Sequence, residues 1–164
     1  MTAKERTQAL LSFIEKSPSP FHAVREISGR LEQEGFEYLP ETKPFQVVRG
    51  GKYYTQRNGS SIIAFRIPEN PKGGFQMMAS HSDSPCFKIK GENPFVTDAN
   101  YTRLNVERYG GMIMAPWLDR PLGIAGRVIV RTENGVRAEL VDSGKNLAVI
   151  PNMPIHLSRQ MNES

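Results

Sequence analysis

The residues with the clearest chemical potential in this sequence are a histidine and an aspartate separated by one residue. His81 and Asp83 lie in the run Ala79-Ser80-His81-Ser82-Asp83-Ser84-Pro85. A neutral imidazole offers one ring nitrogen to zinc, and a carboxylate that accepts from the other ring N–H fixes the tautomer. The spacing alone is a weak signal, because short His-x-Asp motifs arise often by chance. A histidine at the end of a strand is also frequently just hydrogen bonded.

The short apolar run directly before this pair predicts the element that positions it. Residues 75–80 suit a buried central strand. In open α/β sheets, ligand sites form at the carboxyl ends of the strands. We therefore expect His81 and Asp83 to lie at such an edge, in a turn that Pro85 stiffens.

The remaining elements follow from periodicity and turn residues. Apolar positions at helical spacing predict one helix that ends at Ser17-Pro18 and a second from about Phe21 to Glu34, capped by Gly35. Hairpin turns are predicted at Gly50-Gly51, Asn58-Gly59 and Glu133-Asn134-Gly135. Two helices, a buried strand and a long β-rich stretch predict an α/β layer followed by a separate β region.

Composition limits the classes of protein that fit. The chain has 164 residues, 38% of them hydrophobic and 23% charged, which is typical of a folded globular protein. Its net charge of +4 is scattered, which argues against a nucleic-acid partner. A single cysteine, Cys86, excludes an intrachain disulfide. We see neither a signal peptide nor an apolar stretch of about 20 residues, so we expect a cytoplasmic protein with no membrane partner.

Longer motifs along the chain are far more specific than the His-x-Asp pair. They lie at residues 17–24, 50–54, 60–68, 79–85, 104–111, 116–122 and 150–157 and cover nearly the whole chain. Taken in order, they resemble the motifs of the aspartyl aminopeptidases, a family of dinuclear zinc aminopeptidases.

The resemblance implies both a fold and a function. Residues 1–96 correspond to the N-terminal part of an α/β catalytic domain, and residues 97–164 to the start of an inserted, β-rich dimerisation domain. The implied activity is removal of N-terminal, acidic residues from peptide substrates, with two zinc ions per complete site. The resemblance also implies that this chain forms a homo-oligomer through the β-rich domain.

Site residues are also implied by the resemblance. His81 corresponds to the first zinc ligand and Asp83 to the carboxylate that orients it. His156 corresponds to a dimerisation-domain histidine that reaches the active site of a neighbouring subunit and helps to bind substrate. Pro154 stands where many relatives have a small residue, which leaves the path of this loop open.

The other ligands of such a site are implied to lie after the inserted domain, and no Glu-Glu pair occurs in this sequence. We therefore expect the chain alone to be inactive, and either the natural gene to continue or a second chain to supply the remainder. The alternative is a non-catalytic, truncated homologue that acts as an interaction or oligomerisation partner.

Several other residues have two interpretations. Asp119 resembles a metal-bridging aspartate of related aminopeptidases, but a buried ion pair with Arg120 or another cation is favoured.

His22 begins a helix, where a structural hydrogen bond is favoured. Cys86 is either a soft metal ligand or a half-buried thiol, and the thiol is favoured. Three arginines are candidates for reading an acidic substrate, without a basis for choosing among them: Arg103, Arg108 and Arg120.

Overall fold

A computed structural model describes residues 1–70, 73–92, 94–98, 100–154 and 156–157. Two helices precede a series of short strands, which makes the chain a mixed α/β protein. It divides into two compact units. The first comprises Met1–Asp83 and Ala125–Asp142, and the second comprises Ser84–Ile124 and Ser143–Ser164. The predicted domain division after residue 96 stays a prediction.

Both predicted helices are confirmed. Helix α1 (Ala3–Glu15) begins with a capping box, in which Glu5 N–H donates to Thr2 Oγ1 and Thr2 N–H donates to the Glu5 carboxylate. Helix α2 (Pro20–Gln33) has Ser19 as its N-cap and Pro20 in its first turn, where the missing N–H costs nothing. No described helix has the length and apolar character needed to cross a membrane.

The predicted cap at the end of α2 is also confirmed. Gly35 has a φ of +78°, which glycine adopts without steric cost. Its N–H donates to the Glu32 carbonyl at 3.0 Å, and the Phe36 N–H donates to the Leu31 carbonyl at 2.9 Å. This pair of bonds closes the helix and turns the chain into the first strand.

The strands form one three-stranded sheet and several antiparallel pairs. The described strands are β1 (Glu37–Tyr38), β2 (Lys52–Arg57), β3 (Ser61–Arg66), β4 (Cys86–Ile89), β5 (Phe95–Asp98), β6 (Tyr101–Leu104), β7 (Val106–Tyr109), β8 (Pro121–Leu122), β9 (Ala125–Thr132), β10 (Gly135–Asp142) and β11 (Ala148–Val149). In the sheet, β1 is parallel to β2 and β2 is antiparallel to β3; the pairs are β9–β10, β4–β7, β5–β6 and β8–β11.

The buried core lies in the first unit, where α2 packs against β3 and β9. Its most deeply buried side chain is Val24, and Tyr53 and Tyr54 of β2 are also buried. The Tyr54 hydroxyl donates to the Glu32 carboxylate of α2. Burial, followed by this hydrogen bond, raises the pKa of Tyr54 to about 12. The phenol therefore stays protonated and links β2 to α2 across the physiological pH range.

Two of the three predicted hairpins are confirmed. Strands β2 and β3 pair across Asn58-Gly59, and β9 and β10 pair across Glu133-Asn134. The hairpin predicted at Gly50-Gly51 is wrong, because residues 45–48 form no strand. Instead, the Gly50 N–H donates to the Ile67 carbonyl and the Ile67 N–H donates to the Gly51 carbonyl. The two glycines thus close the open end of the β2–β3 pair.

The buried strand predicted at residues 75–80 is wrong for this structure. Residues 73–85 have no regular secondary structure, and Phe75, Met77 and Met78 are 97%, 91% and 99% exposed. A central strand needs backbone partners on its edges and apolar cover on both faces. Within the described part of the chain, no strand pairs with this segment. The turn predicted at residues 70–74 includes Pro71 and Lys72, which lie outside the described residues.

Candidate metal centre

His81 and Asp83 lie next to each other in space as well as in sequence. The Nδ1 atom of the His81 ring is 3.0 Å from Oδ1 of Asp83 and 2.8 Å from the Asp83 backbone oxygen. The His81 side chain is 80% exposed and the Asp83 side chain 34% exposed. The pair therefore presents an imidazole to solvent, with a partly buried carboxylate behind it.

These two contacts determine which ring nitrogen of neutral His81 carries the proton. A backbone carbonyl oxygen accepts hydrogen bonds and cannot donate, and the same holds for an ionised carboxylate. Nδ1 is therefore the N–H donor to Asp83, which leaves the lone pair on Nε2. Histidines that bind metals commonly donate their other ring N–H to a carboxylate or a backbone carbonyl in this way.

The donor set fits one position of a zinc centre. A catalytic zinc site uses three protein ligands and keeps a further position for water or substrate. Among the residues that the structure describes, no group of three or more His, Cys, Asp and Glu side chains is placed to hold a metal ion. His81 and Asp83 thus have the chemistry of a ligand and its orienting carboxylate, and their roles stay predictions.

Ser82, between these two residues, was not singled out from the sequence. Its hydroxyl donates a 3.0 Å hydrogen bond to the backbone oxygen of Ser60, in the turn between β2 and β3. The available signal was a hydroxyl residue inside the His-x-Asp motif. Its partner was not visible, because Ser60 is 22 residues away along the chain.

The remaining candidates for binding lie in the second unit. His156 is exposed, in a turn where the Leu157 N–H donates to the Pro154 carbonyl at 2.8 Å. Its substrate-binding role stays a prediction, and the neighbouring Ile155 lies outside the described residues. Cys86 is half-buried at the start of β4, in agreement with the favoured interpretation as a half-buried thiol.

The buried ion pair favoured for Asp119 is wrong. Asp119 is exposed, and its Oδ1 accepts a 2.8 Å hydrogen bond from the Asn152 backbone N–H. Arg120 donates to the Pro116 carbonyl at 3.1 Å instead. The cause is a set of distant backbone partners, since the Asp119 N–H also donates to the Ile150 carbonyl at 2.9 Å. Asp119 therefore joins two backbone segments of the second unit.

His22 makes the structural hydrogen bond that its position predicted. The side chain is buried, with the residue only 3% exposed, and Nδ1 lies 2.7 Å from Ser19 Oγ at the start of α2. Burial lowers the pKa of His22 below its ordinary value of 6.5, and the positive charge of Arg25 lowers it further. The Asp142 carboxylate acts in the opposite direction. The balance favours a neutral, structural imidazole.

This lowered pKa predicts a dependence of stability on pH. Folded His22 binds a proton less readily than the unfolded chain does. Its contribution to stability is therefore complete above pH 6.5 and decreases as the pH falls through that value toward the lower pKa of the folded state. We expect a larger free energy of unfolding in urea at about pH 8 than at about pH 5.5.

The variant His22→Asn is expected to lose most of this pH difference, since it removes the titrating group. The matched control His156→Asn changes an exposed histidine and is expected to keep the difference. An undiminished pH difference in His22→Asn would assign the effect to other groups.

Comparison with known proteins connects this arrangement to a family. The family model for the aminopeptidase I zinc metalloprotease (M18) matches residues 13–164. A curated relative, the probable M18 family aminopeptidase 2 of Ectopseudomonas mendocina (strain ymp), is 44% identical over 161 residues. That match covers 97% of this chain and 37% of the relative.

Solved structures agree with this result. The cryo-electron microscopy structure of the Ape4 and Nbr1 complex matches with a TM-score of 0.90 and 38% identity, over 99% of this chain and 32% of that one. The structure of the S. cerevisiae mApe1 dodecamer matches with a TM-score of 0.77 and 33% identity, over 89% of this chain and 35% of that one.

These matches define a metallo-aminopeptidase fold and confirm the predicted α/β class. The chain belongs to the M18 family of zinc metallopeptidases, whose matching curated members are aminopeptidases. It spans 37% of the length of the curated relatives that it matches. The family resemblance of the sequence motifs is thereby confirmed.

Proposed function

We propose that this chain supplies one zinc ligand, His81, and its orienting carboxylate, Asp83, to a dinuclear zinc aminopeptidase. The observation that carries the proposal is the hydrogen bond from His81 Nδ1 to Asp83, which leaves Nε2 available to a metal. Membership in the M18 family supports the reaction class. The expected substrates are peptides with an acidic N-terminal residue.

The residues of this chain have distinct tasks in the proposed reaction. His81 binds zinc through Nε2, while Asp83 holds Nδ1–H and keeps the imidazole in the ligating tautomer. The negative charge of Asp83 also makes Nε2 a stronger base and a better ligand. Zinc, when bound, polarises the scissile carbonyl and lowers the pKa of water. In this proposal the other ligands and the general base come from residues outside this sequence.

Assembly and substrate binding belong to the same proposal. Residues 97–164 would form part of a dimerisation domain, from which His156 reaches the substrate of a neighbouring subunit. The dodecamer solved for one relative supports a homo-oligomer. A cytoplasmic location is part of the proposal as well, and the single cysteine agrees with a reducing compartment.

The substrate class is tested in a completed enzyme. We define this as the present chain produced together with the part of the Ectopseudomonas mendocina relative that it does not cover, fused or as a second polypeptide. We expect Asp- and Glu-anilides to be hydrolysed at least roughly tenfold faster, in kcat/KM, than the Leu-anilide. Equal values for the three substrates would exclude the acidic preference.

A second candidate function is that of a non-catalytic homologue that pairs with longer relatives. It is favoured by the lack, among the described residues, of a group of three or more metal-ligating side chains. Under this reading, the present chain would co-purify with the intact relative without increasing its activity. A completed enzyme that forms its oligomer and hydrolyses no anilide would favour this candidate over the aminopeptidase.

A further inference from the structure

A path of hydrogen bonds connects the His81–Asp83 pair to strand β9. The Ser82 hydroxyl donates to the Ser60 carbonyl at 3.0 Å. Two residues earlier in the same turn, Asn58 accepts twice from Arg127 of β9: Nη1 lies 2.7 Å from the Asn58 backbone oxygen and 3.0 Å from Oδ1. All of these residues belong to the first unit. The turn at residues 58–60 is thus bound to two other segments.

This turn is well suited to act as an anchor. Asn58 and Gly59 have φ values of +55° and +63°, the left-handed region that tight hairpin turns require. Arg127 is itself fixed, because its guanidinium lies 4.2 Å from the centre of the Phe21 ring in α2. The turn is therefore held against both the second helix and the β9–β10 hairpin.

The segment that carries His81 needs such an anchor. Residues 73–85 have no regular secondary structure, so no strand ladder fixes the backbone at residues 81–83. The Ser82 side chain is half-buried and bonds to the turn, while the His81 side chain is exposed. With residue 82 held in place, the residues on either side of it stay oriented for the contact between Asp83 and His81 Nδ1.

We propose that Ser82 and Arg127 are positioning residues for the metal ligand His81. Ser82 ties the ligand segment to the 58–60 turn, and Arg127 holds that turn against β9 and α2. This inference rests on the proposed function and deepens it, since both residues act through His81 and touch neither metal nor substrate.

The test uses the 164-residue chain and the tautomer of His81 as its readout. ¹⁵N NMR of the ring nitrogens, at a pH where the imidazole is neutral, measures the ratio of the Nδ1–H to the Nε2–H form. We expect Ser82→Ala to lower this ratio roughly three- to tenfold, the effect of losing one hydrogen bond. Ser82→Thr keeps the hydroxyl and is expected to stay within about twofold of the parent chain.

Arg127→Met provides a second, independent variant. Methionine keeps an apolar stem beside Phe21 but removes both bonds to Asn58. The ratio of the Nδ1–H to the Nε2–H form of His81 is therefore expected to fall, as in Ser82→Ala. The double variant Ser82→Ala with Arg127→Met is expected to show less than the sum of the two single effects, because the changes act on one path. A ratio that is unchanged in Ser82→Ala or in Arg127→Met, with the amide signals of β2 and β3 intact, overturns the proposal.

Zinc addition separates this inference from the proposed function. We expect the Nε2 signal of His81 to shift on titration with zinc chloride, and Ser82→Ala to need roughly three- to tenfold more zinc for the same shift. A parent chain whose Nε2 signal ignores zinc, but whose tautomer ratio responds to Ser82→Ala, would refute the ligand assignment and uphold the positioning path. If the Nε2 signal of His81 responds to zinc but the tautomer ratio is unaltered in the variants, the ligand assignment is upheld and the positioning path is refuted.

Discussion

Replacing His81 with alanine is expected to reduce the aminopeptidase activity of the completed enzyme by more than roughly a hundredfold. Loss of a residue that merely orients a ligand costs about 10–100-fold in metal affinity or activity, so loss of the ligand itself should cost more. The measurement is kcat/KM for an Asp-anilide, together with the zinc content of the same preparation. Zinc and activity should decrease together, because the effect acts through the metal.

The graded control for this prediction is Asp83→Asn. Asparagine keeps the size of the side chain but removes the charge that favours the Nδ1–H tautomer, so activity is expected to fall by about 10–100-fold. The loss of activity is therefore expected to be larger for His81→Ala than for Asp83→Asn. Glu15→Ala, at an exposed position at the end of α1, is expected to leave kcat/KM and the zinc content unchanged. Full activity of His81→Ala would remove His81 from the proposed site.

The second large effect is expected at Phe75, and it should depend on whether the enzyme is complete. In the 164-residue chain, the Phe75 side chain is 97% exposed, so Phe75→Ala is expected to change the free energy of unfolding by less than about 0.5 kcal/mol. In the completed enzyme we expect the segment to be covered, and the same substitution to cost about 3–5 kcal/mol. Urea denaturation of both proteins measures the two values.

Phe65→Ala is the matched control for that comparison. Phe65 lies in β3 and is half-buried, and the centre of its ring is 5.7 Å from the centre of the Tyr53 ring. Because this contact is present in the chain alone, Phe65→Ala should destabilise both proteins. A small effect of Phe75→Ala in both proteins would mean that the Phe75 side chain stays exposed in the completed enzyme as well.

Phe65 lies in a strand that pairs within the described part of this chain and Phe75 in a segment that does not, and the same difference separates the elements that could be predicted from sequence from those that could not. Elements fixed by neighbours in sequence were predicted well: the helix predicted from about Phe21 to Glu34 is observed at Pro20–Gln33, and two hairpins turn at Asn58-Gly59 and at Glu133-Asn134. The strand at residues 75–80 was predicted from its apolar run. A central strand depends on distant partners, which the described residues do not provide.

The candidate site divides in the same way. His81 and Asp83 are two residues apart, so their pairing could be predicted from the sequence motif alone. The bonds from Ser82 to Ser60 and from Arg127 to Asn58 join residues 22 and 69 positions apart, and no local pattern encodes them. The ion pair predicted for Asp119 was wrong for a related reason, because the partner of its carboxylate is a backbone N–H 33 residues away.

The zinc content of the purified 164-residue chain, after dialysis against trace zinc, tests the central claim most directly. In the proposed function, this chain carries one ligand and its orienting carboxylate, and the other ligands lie elsewhere. We therefore expect well under one retained zinc per chain, because a single histidine binds the metal weakly and structural or catalytic sites need three or four ligands. Close to two zinc ions per chain, with hydrolysis of an Asp-anilide, would contradict it, since the complete site would then lie within these residues.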